Sequence, residues 1–416
     1  MAGGPTRRNG RLFAIAGLLL TSAFVAASAL SSAEEFDAWL KHVAESSDPV
    51  SEDAVQEIST KFLSKQTFYT FGDQSLTGFD AWLAEQKLSS ESKADVQPDE
   101  QRRHGGNSKL EQTIYVAKDG SGDFYTISGA LASIPVYNSA RKTIFIKAGV
   151  YEEKIVIPST QQYITFIGEG ADKTVITGHA TAGDQYGDEL LKTYRSATVG
   201  VNSDHFIAKD IRFENTSPPP EPGAVGKQAV ALRISGDKAA FYNVAVLGAQ
   251  DTLYVHQGRH VFINSFIQGS IDFIFGNGRS YFKDCHVHSI ATSFGSITAQ
   301  KRNESDMNTG FSFVNCQIDG TGIIYMGRAW GNYSRVVYSW SYLNDMIIPE
   351  GWQDWGIPAR QETVYYAQYE CTGAGADTSK RVWWAKNLNY DEAKPFLTDA
   401  FVNGHSWLTP ESDVHP

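Results

Sequence analysis

The chain has 416 residues, 42% hydrophobic and 20% charged, the composition of a soluble globular protein with room for one large core or two ordinary ones. A net charge of −11 and a pI near 5.4 argue against nucleic acid as a partner, because phosphate backbones demand clustered Lys and Arg. The same acidity repels a fully ionised polyanion, but salt screens that repulsion beyond roughly 10 Å at 0.1 M, so neutral stretches are favoured without charged ones being excluded.

At the N-terminus, Arg7, Arg8 and Arg11 precede an apolar run from Leu12 to Leu20, continued by Ala23 to Ala27. Ala27-Ser28-Ala29 fits a small-residue cleavage site, so residues 1–29 are expected to be a secretory signal peptide. The run is interrupted by Thr21 and Ser22 and is short for a membrane span, which needs about 20 apolar residues. No later stretch is long enough, so no stable membrane association is expected. Secretion makes Asn215, Asn303 and Asn332, each in an Asn-x-Ser/Thr triplet, eligible for glycans.

Residues 30–107 differ in texture from the rest of the chain. Phe-Asp-Ala-Trp-Leu occurs at Phe36 to Leu40 and again at Phe79 to Leu83, which predicts two short amphipathic helices with similar faces. The polar stretch Ser89 to Asn107 reads as a linker.

From Thr113 the texture changes to short β-branched and aromatic runs punctuated by Gly, Asn and Asp, so residues 108–408 form a β domain and 409–416 a tail. A phrase of the form aromatic-x-x-x-x-apolar-x-Gly begins at Phe241, Phe262 and Phe313, and at Phe282 with Ser289 in the place of the glycine, with a weaker copy at Val337. These starts are 21, 20, 31 and 24 residues apart. A β-sandwich or propeller also has short strands, but irregular spacing around a fixed phrase argues for one solenoid coil with variable loops. The expected fold is a right-handed, single-stranded parallel β-helix with short N-terminal helices. Its coils stack roughly 4.8 Å apart, so Phe241, Phe262, Phe282 and Phe313 should form a ladder. Cys285 and Cys316, each three residues after its phenylalanine, should be rung neighbours, as stacked thiols or as a disulfide. Three cysteines are too few for a disulfide scaffold and show no metal-type spacing.

The repeat also places chemistry. Asp251 and Asp272 each lie ten residues after their phenylalanine, so they occupy one place on successive coils. Like charges that close resist simultaneous ionisation, so one carboxyl keeps its proton while the other acts as a nucleophile. Gln250 precedes Asp251, Gln228 lies about one coil upstream, and Arg328 follows one or two coils beyond, where its guanidinium would keep an aspartate ionised. Each residue alone reads as a turn cap or ladder residue, but five polar groups at coil-spaced positions do not.

Gly149-Val150-Tyr151-Glu152-Glu153, Gln228-Ala229-Val230-Ala231-Leu232, Gly248-Ala249-Gln250-Asp251-Thr252-Leu253-Tyr254, Asp272-Phe273-Ile274-Phe275-Gly276 and Gly327-Arg328-Ala329-Trp330 closely resemble, in order, the signature blocks of pectin methylesterases, the plant enzymes above all. The resemblance covers roughly residues 110–405. It implies that Asp272 attacks the ester carbonyl of a methylated galacturonate, that Asp251 is the general acid and then base, and that Gln228 and Gln250 stabilise the tetrahedral intermediate. Arg328 would orient Asp272 and touch substrate, while Thr193, Trp330, Tyr254, Phe275 and Trp352 would line the sugar cleft. No metal or organic cofactor is implied. The partners implied are pectin and a proteinaceous pectinesterase inhibitor, and a monomer is expected.

Three departures from the family pattern stand out. Ala329 replaces a common proline next to Arg328, and Ser265 replaces a common cysteine, which removes a disulfide partner for Cys285. Residues 34–105 are too short to match the inhibitor-like pro-region of many plant enzymes, so no autoinhibition by that route is expected. Two other readings compete with this one: a pectin lyase or glycoside hydrolase on the same fold, and an inactive wall-binding protein that keeps the cleft.

Overall fold

The computed structural model describes residues 78–84, 86, 113–221 and 224–408. The expected signal peptide, the first Phe-Asp-Ala-Trp-Leu segment, the linker and the tail lie outside the described residues.

Short β-branched strands separated by Gly, Asn and Asp stack in parallel, as the repeat requires. One eleven-stranded sheet runs from Thr113–Val116 to Ala385–Asn387, with each strand paired to its equivalent on the next coil. A fourteen-stranded sheet climbs one face through Ala245–Leu247 and Phe266–Gly269 to His286–Gln300. It then returns along a third face through Ile271–Gly276, Leu253–Val255 and Leu232–Ile234. The two faces join because His286–Gln300 is a single 15-residue strand that bends around the corner. The whole is a parallel β-helix; among the described residues only Gln185–Tyr186 and Glu189–Leu190 pair antiparallel.

One residue per coil makes the corner between the first and second faces. Asp210, Asn243, Asn264, Asp284 and Asn315 have φ between 52° and 54°, a left-handed conformation that Asn and Asp tolerate because their side chains bond locally. They also bond along the stack: Asn264 Nδ2 donates to Asn243 Oδ1 at 2.8 Å, and Asn315 Nδ2 donates to Asp284 Oδ1 at 2.7 Å.

Inside, the phenylalanine ladder forms. Phe241, Phe262, Phe282 and Phe313 are fully buried, with successive ring centroids 4.5, 5.0 and 4.5 Å apart and planes within 12° of parallel. Tyr338 adds a fifth ring 4.5 Å from Phe313, so the weaker copy of the phrase begins at 338 and not at 337. Stacked pairs of this kind contribute about 0.5–1.5 kcal/mol each beyond the area they bury. Cys285 and Cys316 take adjacent rungs as free thiols, resolving the choice left open by their spacing. Their sulfurs lie 3.5 and 3.6 Å from the carbonyl oxygens of Phe262 and Phe282.

Residues 78–84 are helical, as the second Phe-Asp-Ala-Trp-Leu segment predicts. Phe79 and Trp82, three apart and so on one helix face, are each 3% exposed and pack with Ala245, Leu247 and Phe266 on the second face of the β-helix. Gln86 and Asn264 exchange hydrogen bonds at 3.0 and 2.6 Å, which ties the helix end to the asparagine stack. Among the described residues no helix is long and apolar enough to cross a membrane. Asn215 is buried, and its amide donates to the carbonyls of Ala180 and Val230, so the folded protein has no room for a glycan there. Asn303 and Asn332 are exposed.

Candidate active site

The third face carries the two aspartates. Leu253 pairs with Ile274 and Tyr254 with Phe275, and Gln250 bridges Ile271, so the coil offset is 21 residues on both sides of Asp251. Asp272 therefore occupies the next rung at the same place, and the Asp251 amide donates to the Ile271 carbonyl at 3.2 Å. Both aspartates adopt a left-handed backbone, with φ of 61° and 49°, which turns their side chains out of the regular strand alternation. Each such residue costs about 1 kcal/mol or more, a strain that surrounding structure has to hold in place.

Asp272 is 7% exposed and held from two directions. Arg328 grips it with both arms of its guanidinium: Nε donates to Oδ1 at 3.0 Å and Nη2 donates to Oδ2. Ser296 donates its hydroxyl to Oδ1 and accepts the Asp272 amide at 3.1 Å. Arg328 reaches from Gln317–Arg328, two coils beyond Asp272, where it pairs with Ala299 of the bent strand. Burial and the neighbouring Asp272 carboxylate push the Asp251 carboxyl well above the usual range, and Arg328 offsets this only in part. The pair thus sets one clamped carboxyl beside one whose neutral form is favoured by burial and by its neighbour.

A cleft of about 470 Å³ opens over these groups, lined by Thr193, Gln228, Gln250, Asp251, Tyr254, Asp272, Phe275, Arg328 and Trp330 among the expected residues. Gln228 and Gln250 come together because the Ala229 amide donates to the Gln250 carbonyl, fixing adjacent coils in register. Tyr254 and Phe275 stack at 4.2 Å, and Trp330 stands 6.1 Å from Phe275, giving an aromatic wall. Lys192 and Lys301 also line the cleft, so its floor is locally more cationic than the net charge of −11 suggests. Lys301 Nζ lies 4.0 Å from the centre of the Trp330 ring.

One expected residue is misplaced. Trp352 is 2% exposed, sits in the core and stacks on Tyr366 at 4.3 Å, so it does not line the cleft. It pairs with Gly327, one residue before Arg328, and alternation along the strand turns it inward. Gly327 leaves it space: a Cβ there would meet the Trp352 ring at 3.1 Å. The indole of this segment that does face the cleft, alongside Trp330, is Trp355, whose ring centre is 4.2 Å from the Arg328 guanidinium carbon. Trp355, Ser296, Lys192, Lys301 and Tyr194 escaped the sequence reading; Ser296 had one available signal, a polar side chain one coil after Asp272. Ala329 is fully buried, and its amide donates to the Gln353 carbonyl at 2.8 Å, a bond that a proline in its place could not make.

Comparison with known proteins agrees with this geometry. The family model described as pectinesterase matches residues 113–405. Pectinesterase QRT1 of Arabidopsis thaliana is 50% identical over 302 residues, covering 72% of this chain and 79% of the relative. Probable pectinesterase 8 of the same plant is 44% identical over 303 residues, covering 71% and 76%. The solved pectin methylesterase from carrot superposes with a TM-score of 0.67 at 38% identity, covering 76% of this chain and 98% of the carrot chain. A pectin methylesterase solved in complex with a hexasaccharide superposes with a TM-score of 0.62 at 25% identity, covering 71% and 98%. Fold, cleft and relatives agree that the chain belongs to the pectinesterase family, whose members are carboxylic ester hydrolases.

Proposed function

We propose that this pectinesterase is a secreted cell-wall enzyme that removes methyl esters from homogalacturonan through an acyl-enzyme on Asp272. The observation that carries the reading is the asymmetric carboxyl pair, with Asp272 gripped by Arg328 and Ser296 on the rung next to Asp251, whose pKa burial and Asp272 push upward.

In this reading an Asp272 oxygen attacks the ester carbonyl carbon. Oδ1 already accepts from Arg328 Nε and Ser296 Oγ, so Oδ2, which accepts from Arg328 alone, keeps the freer lone pair for attack. The carbonyl oxygen becomes an oxyanion, and the amides of Gln228 and Gln250 donate to it, a contact type worth about 3 kcal/mol of barrier. The carbon–methoxy bond then breaks as Asp251 passes its proton to the leaving oxygen, releasing methanol and leaving a mixed anhydride on Asp272. Water attacks that anhydride while Asp251 takes back a proton. The products are a free galacturonate and the starting enzyme.

Thr193, Tyr254, Phe275 and Trp330, together with Trp355, supply the cleft wall against which sugar rings pack. Residues 1–29 would direct secretion, residues 30–107 would precede the catalytic domain at 108–408, and the chain would act as a monomer open to a proteinaceous inhibitor. The test is to incubate the purified mature chain with highly methylated pectin while titrating released acid and assaying methanol. Acid and methanol in equal amounts without chain shortening support the reading; chain cleavage, or no methanol at all, contradicts it.

A further inference from the structure

On the second face, away from the cleft, three side chains that the esterase chemistry does not use converge on one point. His286 and His288 alternate outward on the first leg of the bent strand, while Val287 between them is fully buried in the core. Asp319 pairs directly with His288 from the next coil. Its Oδ1 lies 2.7 Å from His286 Nε2 and 2.7 Å from His288 Nδ1, and the three atoms fall within 4.8 Å of one another. The imidazole side chains are only 8% and 10% exposed and the carboxylate 22%, so the point is enclosed but reachable from one side.

The surroundings fix these groups. Gln317 Nε2 donates to Asp319 Oδ2 at 2.7 Å, which directs Oδ1 toward the imidazoles, the kind of outer contact that orients a ligating carboxylate. The Phe266 ring lies 5.0 and 5.9 Å from the two histidine rings. Residues 78–84 cover the site from above, where a Cβ on Gly78 would meet the His288 ring at 2.7 Å.

We propose that His286, His288 and Asp319 form a zinc-type cation site that staples two neighbouring coils beneath the helix at residues 78–84. Two imidazoles and one carboxylate suit a tetrahedral ion that keeps a fourth position for water, whereas calcium and magnesium favour all-oxygen shells. Tetrahedral ligation with bonds of about 2.0–2.1 Å separates ligand atoms by about 3.3 Å, so the side chains need to spread by roughly half an ångström. Each imidazole presents its lone pair to the ion by moving its proton to the other ring nitrogen.

The site assembles only when adjacent coils are stacked, so an ion bound there stabilises the folded chain and not the unfolded one. The test is zinc chloride titration of the chelator-treated full chain by calorimetry, with thermal unfolding followed in parallel and calcium chloride as the control ion. The expected result is one saturable equivalent of zinc, with Tm rising about 5 °C at a hundredfold excess over Kd and no rise with calcium. His288→Gln and Asp319→Asn should each weaken zinc binding by more than about tenfold, exceeding the loss from outer-contact changes. Asp319→Asn keeps an acceptor for both imidazoles, and esterase activity confirms that it is folded. Absence of zinc binding by the unaltered chain, or equal binding by Asp319→Asn, overturns the proposal.

Discussion

Phe241, Phe262, Phe282 and Phe313 stack inside the β-helix at the same coil-to-coil interval that sets Asp251 next to Asp272 on its outer surface. Inside, repetition is favourable: each ring meets a like ring, buries fully and gains dispersion and offset-stacking energy. Outside, repetition is unfavourable, since two carboxyls on adjacent rungs repel and each loses solvent. The outer pair persists because Arg328 and Ser296 hold one member while the pKa of the other is pushed upward, which favours its neutral form. One lattice of coils therefore yields a stabilising contact where the repeated group is apolar and a perturbed pKa where it is ionisable.

Short of removing the attacking group itself, the largest expected effect comes from altering its partner. Asp251→Asn removes the proton donor and should slow methanol release by about 10²–10⁴-fold, measured by steady-state assay on methylated pectin. In the unaltered enzyme the rate should fall as pH rises through the raised Asp251 pKa, because leaving-group protonation needs the neutral carboxyl; the variant should lack that limb. Stability follows the same linkage. A carboxyl whose folded pKa is raised contributes stability that is fully present below its unfolded value of about 3.9 and is lost as pH rises through the folded one. Unfolding midpoints against pH should therefore decline less steeply over that window in Asp251→Asn.

Next comes the inner ladder. Phe262→Ala removes a ring with a stacked partner on each side and should destabilise by about 3–5 kcal/mol in denaturant unfolding, while the residual folded enzyme keeps its kcat. A kcat that falls with the ring would show that the inner stack also tunes the cleft.

The smallest and most discriminating contrast is between two indoles three residues apart. Trp352→Ala should act as a core deletion, with a large loss of stability and KM unchanged. Trp355→Ala should leave stability nearly untouched and raise KM by about tenfold or less, in keeping with a partly exposed cation–π wall worth roughly 1 kcal/mol. The reverse pattern would restore the sequence expectation for Trp352.

That pair also marks how far the sequence could be read. The ladder and the two aspartates were legible because a fixed phrase recurs on each coil whatever the loop length between copies, and parallel stacking converts equal places in the phrase into proximity. Trp352 was misjudged because inward or outward facing depends on single-residue parity after Gly327, which no repeat phrase encodes there. Ser296 and Lys301 were missed because His286–Gln300 rounds its corner within one continuous strand, where Gly295 stands without the Asn or Asp that marks the corner between the first two faces. Asn215 had the right triplet for a glycan but is spent inside, on two backbone carbonyls.

The claim on which the account rests is that Asp272 is the attacking group. Methanol release by purified Asp272→Ala on highly methylated pectin, with its fold verified by near-ultraviolet circular dichroism, addresses it most directly. Release no faster than the enzyme-free blank is predicted, while release near the rate of the unaltered enzyme would contradict it.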